Sequence, residues 1–340
     1  MSLPPSEIPQ GAIRFNTDSQ KLEFYAQDQW WEMVIDTPAL GTSSDTGAGA
    51  RGVIAGGQTP TVVNNIDYIT ISTTGNAISF GNLSTARLAA AAVADSTRGL
   101  IQGGGVPTIT NTTRRVTISS TGSETNFGNL ITSFYGHFGC ANSTRGVFGG
   151  SYSTSYTNIL EYVTIQSDGT AADFGDVSVG SYRRGNIASS TRGVLMGNYA
   201  PGGDANSNFN IIEFITISTL GNAQDFGDLT QTTSDCTSSS NSTRGLRFGK
   251  WPAENTIDYI TIATLGNAQN FGDLTVSRYD LTSTTSPTRA VICGGTDGGG
   301  GVLNTIDYVN ILSLGDAIDF GDLPQTKRGP AACSNAHGGL

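Results

Sequence analysis

The stretch STTGNAISFGNL, from Ser72 to Leu83, recurs along the chain with small changes. Successive copies lie 47, 47, 52, 45 and 49 residues apart, counted between their phenylalanines. A period in this range is typical of β-propeller blades, because each unit must hold four short antiparallel strands and their turns. The phenylalanines that mark the copies are Phe80, Phe127, Phe174, Phe226, Phe271 and Phe320.

A second phrase, [ST]RG followed by apolar residues and a glycine, precedes each copy. The second unit shows the expected strands at residues 88–95, 97–104, 113–119 and 125–130. The first of these is rich in alanine, and small side chains suit the crowded place nearest a propeller axis. We therefore predict four-stranded blades with this strand innermost. The arginines of the second phrase are Arg51, Arg98, Arg145, Arg192, Arg244 and Arg289.

The first copy has no alanine-rich strand of its own, since the residues before Arg51 are rich in Gly, Ser and Thr. The segment PQTKRGPAACSNAHGGL after Leu323 aligns with STARLAAAAVADSTRGL after Leu83. Supplying the missing strand from this segment would leave no open sheet edge. The sequence predicts an all-β fold in which residues 50–340 form a six-bladed propeller closed by a C-terminal strand.

The repeat resembles the kelch-type propeller, in which a strand ending in Gly-Gly precedes a tyrosine-containing strand and an aromatic residue. Gly56 and Gly57 take the double-glycine place, and Tyr68 falls on the third strand. The pattern departs from kelch where Phe80 and its equivalents replace tryptophan, and where the second glycine is lost, as at Lys250. The resemblance implies a kelch-like architecture.

The acids Asp67, Glu161, Glu213, Asp258 and Asp307 recur on the third strands, almost in step with the arginines, and Arg115 takes this place in the second unit. One solution that works in one blade works in all of them. We therefore predict that each arginine pairs with a carboxylate or a carbonyl of its own or the adjacent blade.

The loops between the second and third strands, and between one unit and the next, fall on one face and differ from unit to unit. Loops held by a rigid scaffold often carry binding residues, and aromatic side chains among Asn, Asp and Gly suit contact with carbohydrate or protein. The alternative is that some of these side chains pack against blade edges. The candidate binding residues are Tyr135, Tyr152, Tyr156, Tyr182, Tyr199, Phe209, Trp251 and Tyr279.

Composition argues against several classes of function. The formal net charge is −10, and Lys and Arg form no patch, so binding to nucleic acid or to a membrane surface is not expected. No run reaches the roughly 18 apolar residues of a membrane span, and no secretory signal is evident. We expect a soluble protein made in the cytoplasm.

No catalytic motif is evident, and His137 and His337 lie in different units. The four cysteines have no metal-ligand spacing and are expected to be buried thiols. We predict no catalytic residues, no metal and no cofactor, and hence a protein that is not an enzyme. A glycan-active enzyme stays an alternative, because Asp204, Glu254 and Asp280 fall on the loop face and glycosidases need two carboxylates.

Residues 1–35 stand outside the repeat. GAIRFNT, LEFYA and WWEMV predict three short strands joined by polar turns. Such a unit is too small to fold well alone, so its apolar side chains need cover from another surface. We predict a docking or oligomerisation segment, followed by a linker at residues 36–49. The candidate anchoring residues are Phe15, Phe24, Tyr25, Trp30 and Trp31.

The same segment is similar to a short motif at the start of bacteriophage virion proteins, particularly tail-fibre and appendage proteins: G-x-[IL]-R-[FY]-N-[ST], a turn, a strand and a tryptophan. The repeats containing IDYITI also resemble repeats of phages of aquatic hosts. The resemblance implies a homo-oligomeric virion protein that is anchored on other virion proteins and displays its propeller for adhesion to a host surface glycan or protein receptor. The alternative is a capsid or tail decoration that binds only virion proteins.

Overall fold

The computed structural model describes Pro9, residues 11–16, residues 21–32, and residues 50–340 except 106, 107, 137, 153, 154, 181 and 200–207. Every regular element among these residues is a β-strand, and none of them belongs to a helix with the length and apolarity to cross a membrane. The chain divides into two compact units, Met1–Leu40 and Gly41–Leu340. The predicted linker at residues 36–49 lies outside the described residues.

The first unit contains a three-stranded antiparallel sheet in the order β1-β2-β3. Its strands are β1 (Ile13–Asn16), β2 (Lys21–Ala26) and β3 (Gln29–Glu32), which confirms the three predicted strands. The turn between β2 and β3 is Gln27-Asp28, with positive φ at both residues. A two-residue turn of this kind matches the twist of the strands that it joins.

The second unit consists of several four-stranded antiparallel sheets, consistent with a β-propeller-like fold. One sheet joins distant parts of the chain. It contains β4 (Arg51–Ala55), β7 (Asn65–Thr70) and β8 (Ile78–Asn82), and its remaining strand is β30 (Ala331–Ser334), in the order β30-β4-β7-β8. The predicted pairing of the segment after Leu323 with the first unit of the repeat is thus present.

The other sheets follow the chain, each running from an inner to an outer strand. A small hairpin, β5 (Gln58–Thr59) and β6 (Thr61–Val62), lies outside them. Two of the sheets are β9 (Ala91–Ala94), β10 (Arg98–Gln102), β11 (Thr112–Thr117), β12 (Thr125–Asn129), and β13 (Phe138–Ala141), β14 (Arg145–Tyr152), β15 (Tyr156–Thr164), β16 (Ala172–Asp176).

Two of the three remaining sheets have outer strands of 10 and 11 residues, and one of these two sheets gains a short fifth strand. The three sheets are β17 (Gly185–Ala188), β18 (Arg192–Tyr199), β19 (Asn208–Thr216), β20 (Gln224–Thr233); β21 (Thr237–Ser240), β22 (Arg244–Phe248), β23 (Glu254–Thr261), β24 (Gln269–Tyr279), β27 (Thr296–Asp297); and β25 (Thr282–Thr285), β26 (Arg289–Cys293), β28 (Thr305–Asn310), β29 (Ile318–Asp322).

The strands β9, β13, β17, β21, β25 and β30 are the inner strands, and they contact one another. Strand β9 contacts β13 and β30, β17 contacts β13 and β21, and β25 contacts β21 and β30. Most of their side chains are small, as in Ala91–Ala94, which lets the backbones approach closely, and Phe138 and Ile187 are exceptions. A cavity of about 140 Å³ is lined by residues from all of these strands. The alanine-rich strand therefore takes the inner place that the sequence predicts.

The core lies between neighbouring sheets and is built from the repeated phrase. Phe80 and Leu83 of the first copy are buried against Ile101 and Val116 of the next sheet. Each further copy buries its phenylalanine in the same manner. Burying one such side chain stabilises the fold by about 1.5–3 kcal/mol. The phrase thus joins one sheet to the next.

The glycine that follows each phenylalanine is required by close approach of two backbones. A Cβ on Gly81 would lie 2.1 Å from the carbonyl oxygen of Gly122 in the next sheet. The N–H of Gly122 in turn donates to the carbonyl of Phe80 at 2.8 Å. The same contact recurs between Gly321 and Gly75, with the N–H of Gly75 donating to the carbonyl of Phe320 at 2.8 Å.

The arginines of the second phrase also join sheets. Arg51 donates from Nη1 to the carbonyl of Ile118 in the next sheet at 2.9 Å, and its guanidinium lies 4.3 Å from the ring centroid of Tyr68. This confirms the predicted pairing with a carbonyl of the adjacent unit. The equivalent bonds run from Arg98 to Ile165, Arg145 to Ile217, Arg192 to Ile262, Arg244 to Ile311 and Arg289 to Ile71.

Pairing of these arginines with the third-strand acids was the wrong alternative, because other cations reach the acids. Asp307 pairs with Arg278 at 2.8 Å, and Asp67 pairs with Lys327 at 2.6 Å. Lys327 lies between β29 and β30, and Arg278 lies near the end of β24, so both belong to the stretch of chain that leads to the next inner strand. Glu213 pairs in the same way with Arg184, which directly precedes β17. Asp258 instead pairs with Arg247, which lies opposite it on β22 of the same sheet.

Two units depart from this pairing. Glu161 accepts hydrogen bonds from the backbone N–H groups of Ile131 and Thr132 at 2.8 and 3.0 Å, and burial raises its pKa. In the second copy of the repeat, the strand register places Arg114, not Arg115, opposite Ile101. Asp67 lies opposite Ile54 in the same way in the first copy. The prediction that Arg115 replaces the acid was therefore wrong by one residue.

Candidate functional site

An open depression lies on the loop face of the unit Gly41–Leu340, where the chain enters the inner strands. Its volume is about 360 Å³. Its aromatic lining residues come from five parts of the chain: three lie between strands, and two are the last residues of β18 and β24. We call these aromatic residues the wall and the charged lining residues the floor. The lining residues are Leu88, Tyr135, Tyr182, Arg183, Tyr199, Asp235, Trp251, Tyr279, Asp280 and Arg328. Five of the eight candidate binding residues are among them.

Two more candidates, Tyr152 and Tyr156, extend the aromatic wall. The ring of Tyr156 lies 5.6 Å from that of Tyr182 and 6.1 Å from that of Tyr199, and 5.2 Å from that of Tyr152. Contacts at these distances and tilted angles are favourable for aromatic pairs. The structure thus brings these four tyrosines into one cluster.

Two phenols of this cluster, those of Tyr156 and Tyr182, have raised pKa values. Burial raises the pKa of Tyr182 to about 12, and the nearby guanidinium of Arg183 does not offset this. Burial and the neighbouring phenols Tyr199 and Tyr152 also raise the pKa of Tyr156. A neutral phenol both donates and accepts a hydrogen bond, so the wall is apolar on its ring faces and polar at its tips.

Trp251 and Tyr279, which also line the depression, pack edge to face with ring centroids 4.8 Å apart. Trp251 is 47% exposed, so much of the surface of this large side chain is accessible. Phe209 is the candidate that the structure does not bring to the site. It lies in β19, opposite Asn198 and Thr233, rather than in a loop, and it is not among the lining residues.

The floor centres on Arg183, whose Nη1 bonds two carboxylates. It pairs with Asp235 and, at 2.6 Å, with Asp280, while Nη2 donates to the hydroxyl of Tyr135 at 3.2 Å. Burial opposes the charged form of Arg183, but the two carboxylates outweigh burial and hold its pKa well above the usual value. Burial raises the pKa of Asp280, against the attraction of Arg183.

Arg328 completes the charged residues of the depression. Its Nε and Nη2 donate to Gln58 Oε1 at 3.0 and 2.7 Å. The four charged side chains of the lining are therefore two carboxylates and two guanidiniums.

The backbone at the floor adopts a conformation that most side chains disfavour. Arg183, Asp235 and Asp280 have φ of +58°, +52° and +55°. Equivalent residues elsewhere do the same, and backbone N–H groups link these positions from sheet to sheet at 2.7 to 3.1 Å, as from Gly329 to the carbonyl of Asp280. The six residues with this conformation at the entry to an inner strand are Ala89, Gly136, Arg183, Asp235, Asp280 and Gly329.

Sequence reasoning placed Asp280 on the loop face but did not predict the set of positions that forms the floor. The six positions are spaced by 47, 47, 52, 45 and 49 residues, which is the spacing of the repeated phrase. Their identities differ, however, so no phrase marks them. A search for residues at a fixed offset from each phenylalanine would have found them.

The candidate anchoring residues divide between the two faces of the first unit's sheet. Phe15, Phe24 and Trp31 are 59%, 36% and 43% exposed and share one face by strand register. Tyr25 and Trp30 lie on the opposite face with ring centroids 5.3 Å apart. The first three therefore form the exposed apolar face of this unit.

The chemistry of the remaining reactive groups is limited. Cys140, Cys236, Cys293 and Cys333 are free and buried, as expected, and burial raises the pKa of Cys140 to about 12. Within the described ranges, no three His, Cys, Asp or Glu side chains are placed to hold a metal ion. Comparison with family models gives no match, and neither does comparison with curated proteins. The site itself must carry the functional argument.

Proposed function

We propose that the second unit is a closed, six-bladed, kelch-like β-propeller. The mutual contacts of the inner strands return from β30 to β9, and one cavity touches all of them. The hydrogen bond from Arg289 to Ile71 and the packing of Phe320 on Ile54 and Ile69 connect the last sheet with the first. The pairing of β30 with β4 supports closure by a C-terminal strand.

We propose that this propeller is a non-enzymatic adhesion domain of a phage virion protein and that it binds a host surface glycan or receptor through its loop face. The observation that carries the binding role is the depression with Trp251, Tyr279 and the tyrosine cluster around a charged floor. Flat aromatic side chains stack on apolar faces of a partner while nearby polar groups orient it. The virion role rests on the N-terminal motif, and the exposed face of Phe15, Phe24 and Trp31 supports anchoring on virion proteins or on other copies of the chain.

A glycan array with the full-length protein tests the binding role. We expect Trp251→Ala and Tyr199→Ala each to weaken binding by about tenfold or more, because stacking on a large ring is lost. Leu314→Ala is the matched control, since this exposed leucine lies in the turn between β28 and β29, on the face opposite the loop face, which we call the turn face. Wild-type binding by both aromatic variants would place the site elsewhere, and absence of any glycan binding would contradict adhesion to a glycan.

The second candidate function is a decoration that binds only other virion proteins. The exposed apolar face of the N-terminal sheet supports it, because contact with another virion protein would cover that face. Electron micrographs of particles labelled on the propeller distinguish the two functions. An adhesion domain projects from the particle with its loop face open, whereas a decoration has a neighbouring protein seated over that face.

A further inference from the structure

The floor of the depression offers more hydrogen-bond acceptors than donors. Asp235 and Asp280 both bond the same nitrogen of Arg183 through their Oδ1 atoms. Ser234 donates to Oδ2 of Asp235 at 3.2 Å. Two carboxylates provide about eight lone-pair sites in total, so shared contacts with one guanidinium nitrogen leave much of this capacity available.

The charge of the floor argues against an anionic ligand. The two carboxylates would repel it, and the guanidinium of Arg183 already lies against both of them. Arg328 is held on Gln58 at one side of the depression. A cationic ligand would have to compete with Arg183 for the same carboxylates. An uncharged group with several O–H donors would bind without repulsion from the carboxylates and without competing with Arg183 as a cation.

The walls fit the same kind of ligand. The ring pair Trp251 and Tyr279 and the ring pair Tyr182 and Tyr199 both line the depression. Such surfaces pack on the C–H faces of a sugar ring, while its hydroxyl groups point to polar atoms. A volume of about 360 Å³ is at the small end of ligand sites, which commonly span about 300–1,000 Å³. It suits the end of a glycan rather than an extended chain.

The residues just before each inner strand, which we call the entry segments, fold without the floor side chains at some of the equivalent positions. Gly136 and Gly329 take the same place and conformation at no steric cost. Arg183, Asp235 and Asp280 retain the strain in three neighbouring sheets. Ala89 has the same conformation outside the depression, so the fold of the entry segment does not require Arg or Asp at these positions.

We infer that the depression binds the terminal residue of an uncharged glycan end-on, with adjacent hydroxyl groups donating to Asp235 and Asp280 and the sugar ring packed against Trp251. This inference rests on the proposed adhesion function and makes it specific. Arg183 acts as a positioning residue, because it holds the two carboxylates together at the floor.

The test uses the full-length protein on an array of two glycan sets, one ending in galactose, glucose, mannose or fucose, and one ending in sialic acid, glucuronic acid or a sulfated sugar. We expect binding only to the uncharged set. Asp280→Asn should weaken it by about tenfold or more, since a hydrogen bond to a charged group is lost.

A triple variant, Arg183→Gly with Asp235→Gly and Asp280→Gly, separates binding from folding. It should bind no glycan, yet melt at the wild-type temperature or above, because glycine relieves the strain at three positions. Ala89→Gly is the matched control, since it changes an equivalent position outside the depression, and it should retain wild-type binding.

The outcomes separate the two levels of the proposal. Binding of acid-terminated glycans that is lost in Trp251→Ala would overturn the inference and keep the proposed adhesion function. Wild-type binding of uncharged glycans by both Asp280→Asn and the triple variant would also overturn the inference alone. Binding of neither glycan set would overturn both the inference and adhesion to a glycan.

Discussion

The two faces of the second unit are built on the same strands but differ in what repeats. On the turn face, the arginine of every unit reaches a carbonyl of another sheet, as Arg51 reaches Ile118. On the loop face, the residues at the entry to the inner strands range from Ala89 to Arg183. The comparison teaches that the repeated residues are those that join sheets, and that the residues that vary fill the depression.

The largest expected effect sets a buried repeated residue against an exposed loop residue. Phe226→Ala should lower the free energy of unfolding by about 3–5 kcal/mol, because it leaves a cavity between two sheets. Trp251→Ala should cost about 1 kcal/mol or less, because its ring is 47% exposed. Urea unfolding of both variants measures the difference. Equal losses would break the distinction between the two faces.

The next effect sharpens the comparison, because Lys327 and Asp67 lie near the loop face but stabilise the fold. Lys327→Met removes the partner of the buried carboxylate Asp67 and should cost about 3 kcal/mol at pH 7. The double variant Lys327→Met with Asp67→Asn should recover part of this loss, since no unpaired charge remains. Urea unfolding checks both. If the double variant were less stable than Lys327→Met, an unpaired charge on Asp67 would not explain the loss of stability in Lys327→Met.

The smallest effect concerns His337, which lies near the other end of the inner strands. Its Nε2 is 2.6 Å from the carbonyl oxygen of Ala94, and its Nδ1 accepts from the N–H of Gly339 at 3.1 Å. This arrangement fits the neutral ring, and burial lowers the pKa. Below the unfolded pKa of about 6.5 the unfolded chain therefore binds a proton that the folded protein does not.

Stability should accordingly fall as the pH drops below about 6.5 and towards the folded pKa, by at most about 1.4 kcal/mol per pH unit. Unfolding of the wild type and of His337→Gln between pH 7.5 and 5 isolates this contribution. The wild type should lose more stability over the range than the variant does. Identical slopes would show that the site tolerates the charged ring.

The sheets could be predicted from the sequence because their determinants repeat. Phe80 and its equivalents fix the period, and the similarity of the segment around Ala331 to that around Ala91 predicts the pairing of β30 with β4. The partners of the buried acids could not be predicted, because no local pattern links them: Lys327 is 260 residues from Asp67 along the chain, and Arg278 is 29 residues from Asp307. Strand register alone placed Arg114 where Arg115 was expected.

The candidate site was predicted only in its aromatic part. Tyrosine and tryptophan in loops of unequal length are visible in a sequence, and Tyr182, Tyr199 and Trp251 meet in one depression. The floor was not visible, because positive φ is normally marked by glycine and here it falls on Arg183, Asp235 and Asp280. The convergence of those three side chains depends on the placement of their sheets, which no local pattern encodes.

The pairing of β30 with β4 also governs how the protein is made. While the chain leaves the ribosome, β4 pairs with β7 on one side but has an open edge on the other until residues 331–334 emerge. A nascent chain therefore carries an unpaired strand edge through the synthesis of more than two hundred residues, a period in which it is exposed to misassembly with other chains. Completion of this one sheet marks the moment when that exposure ends.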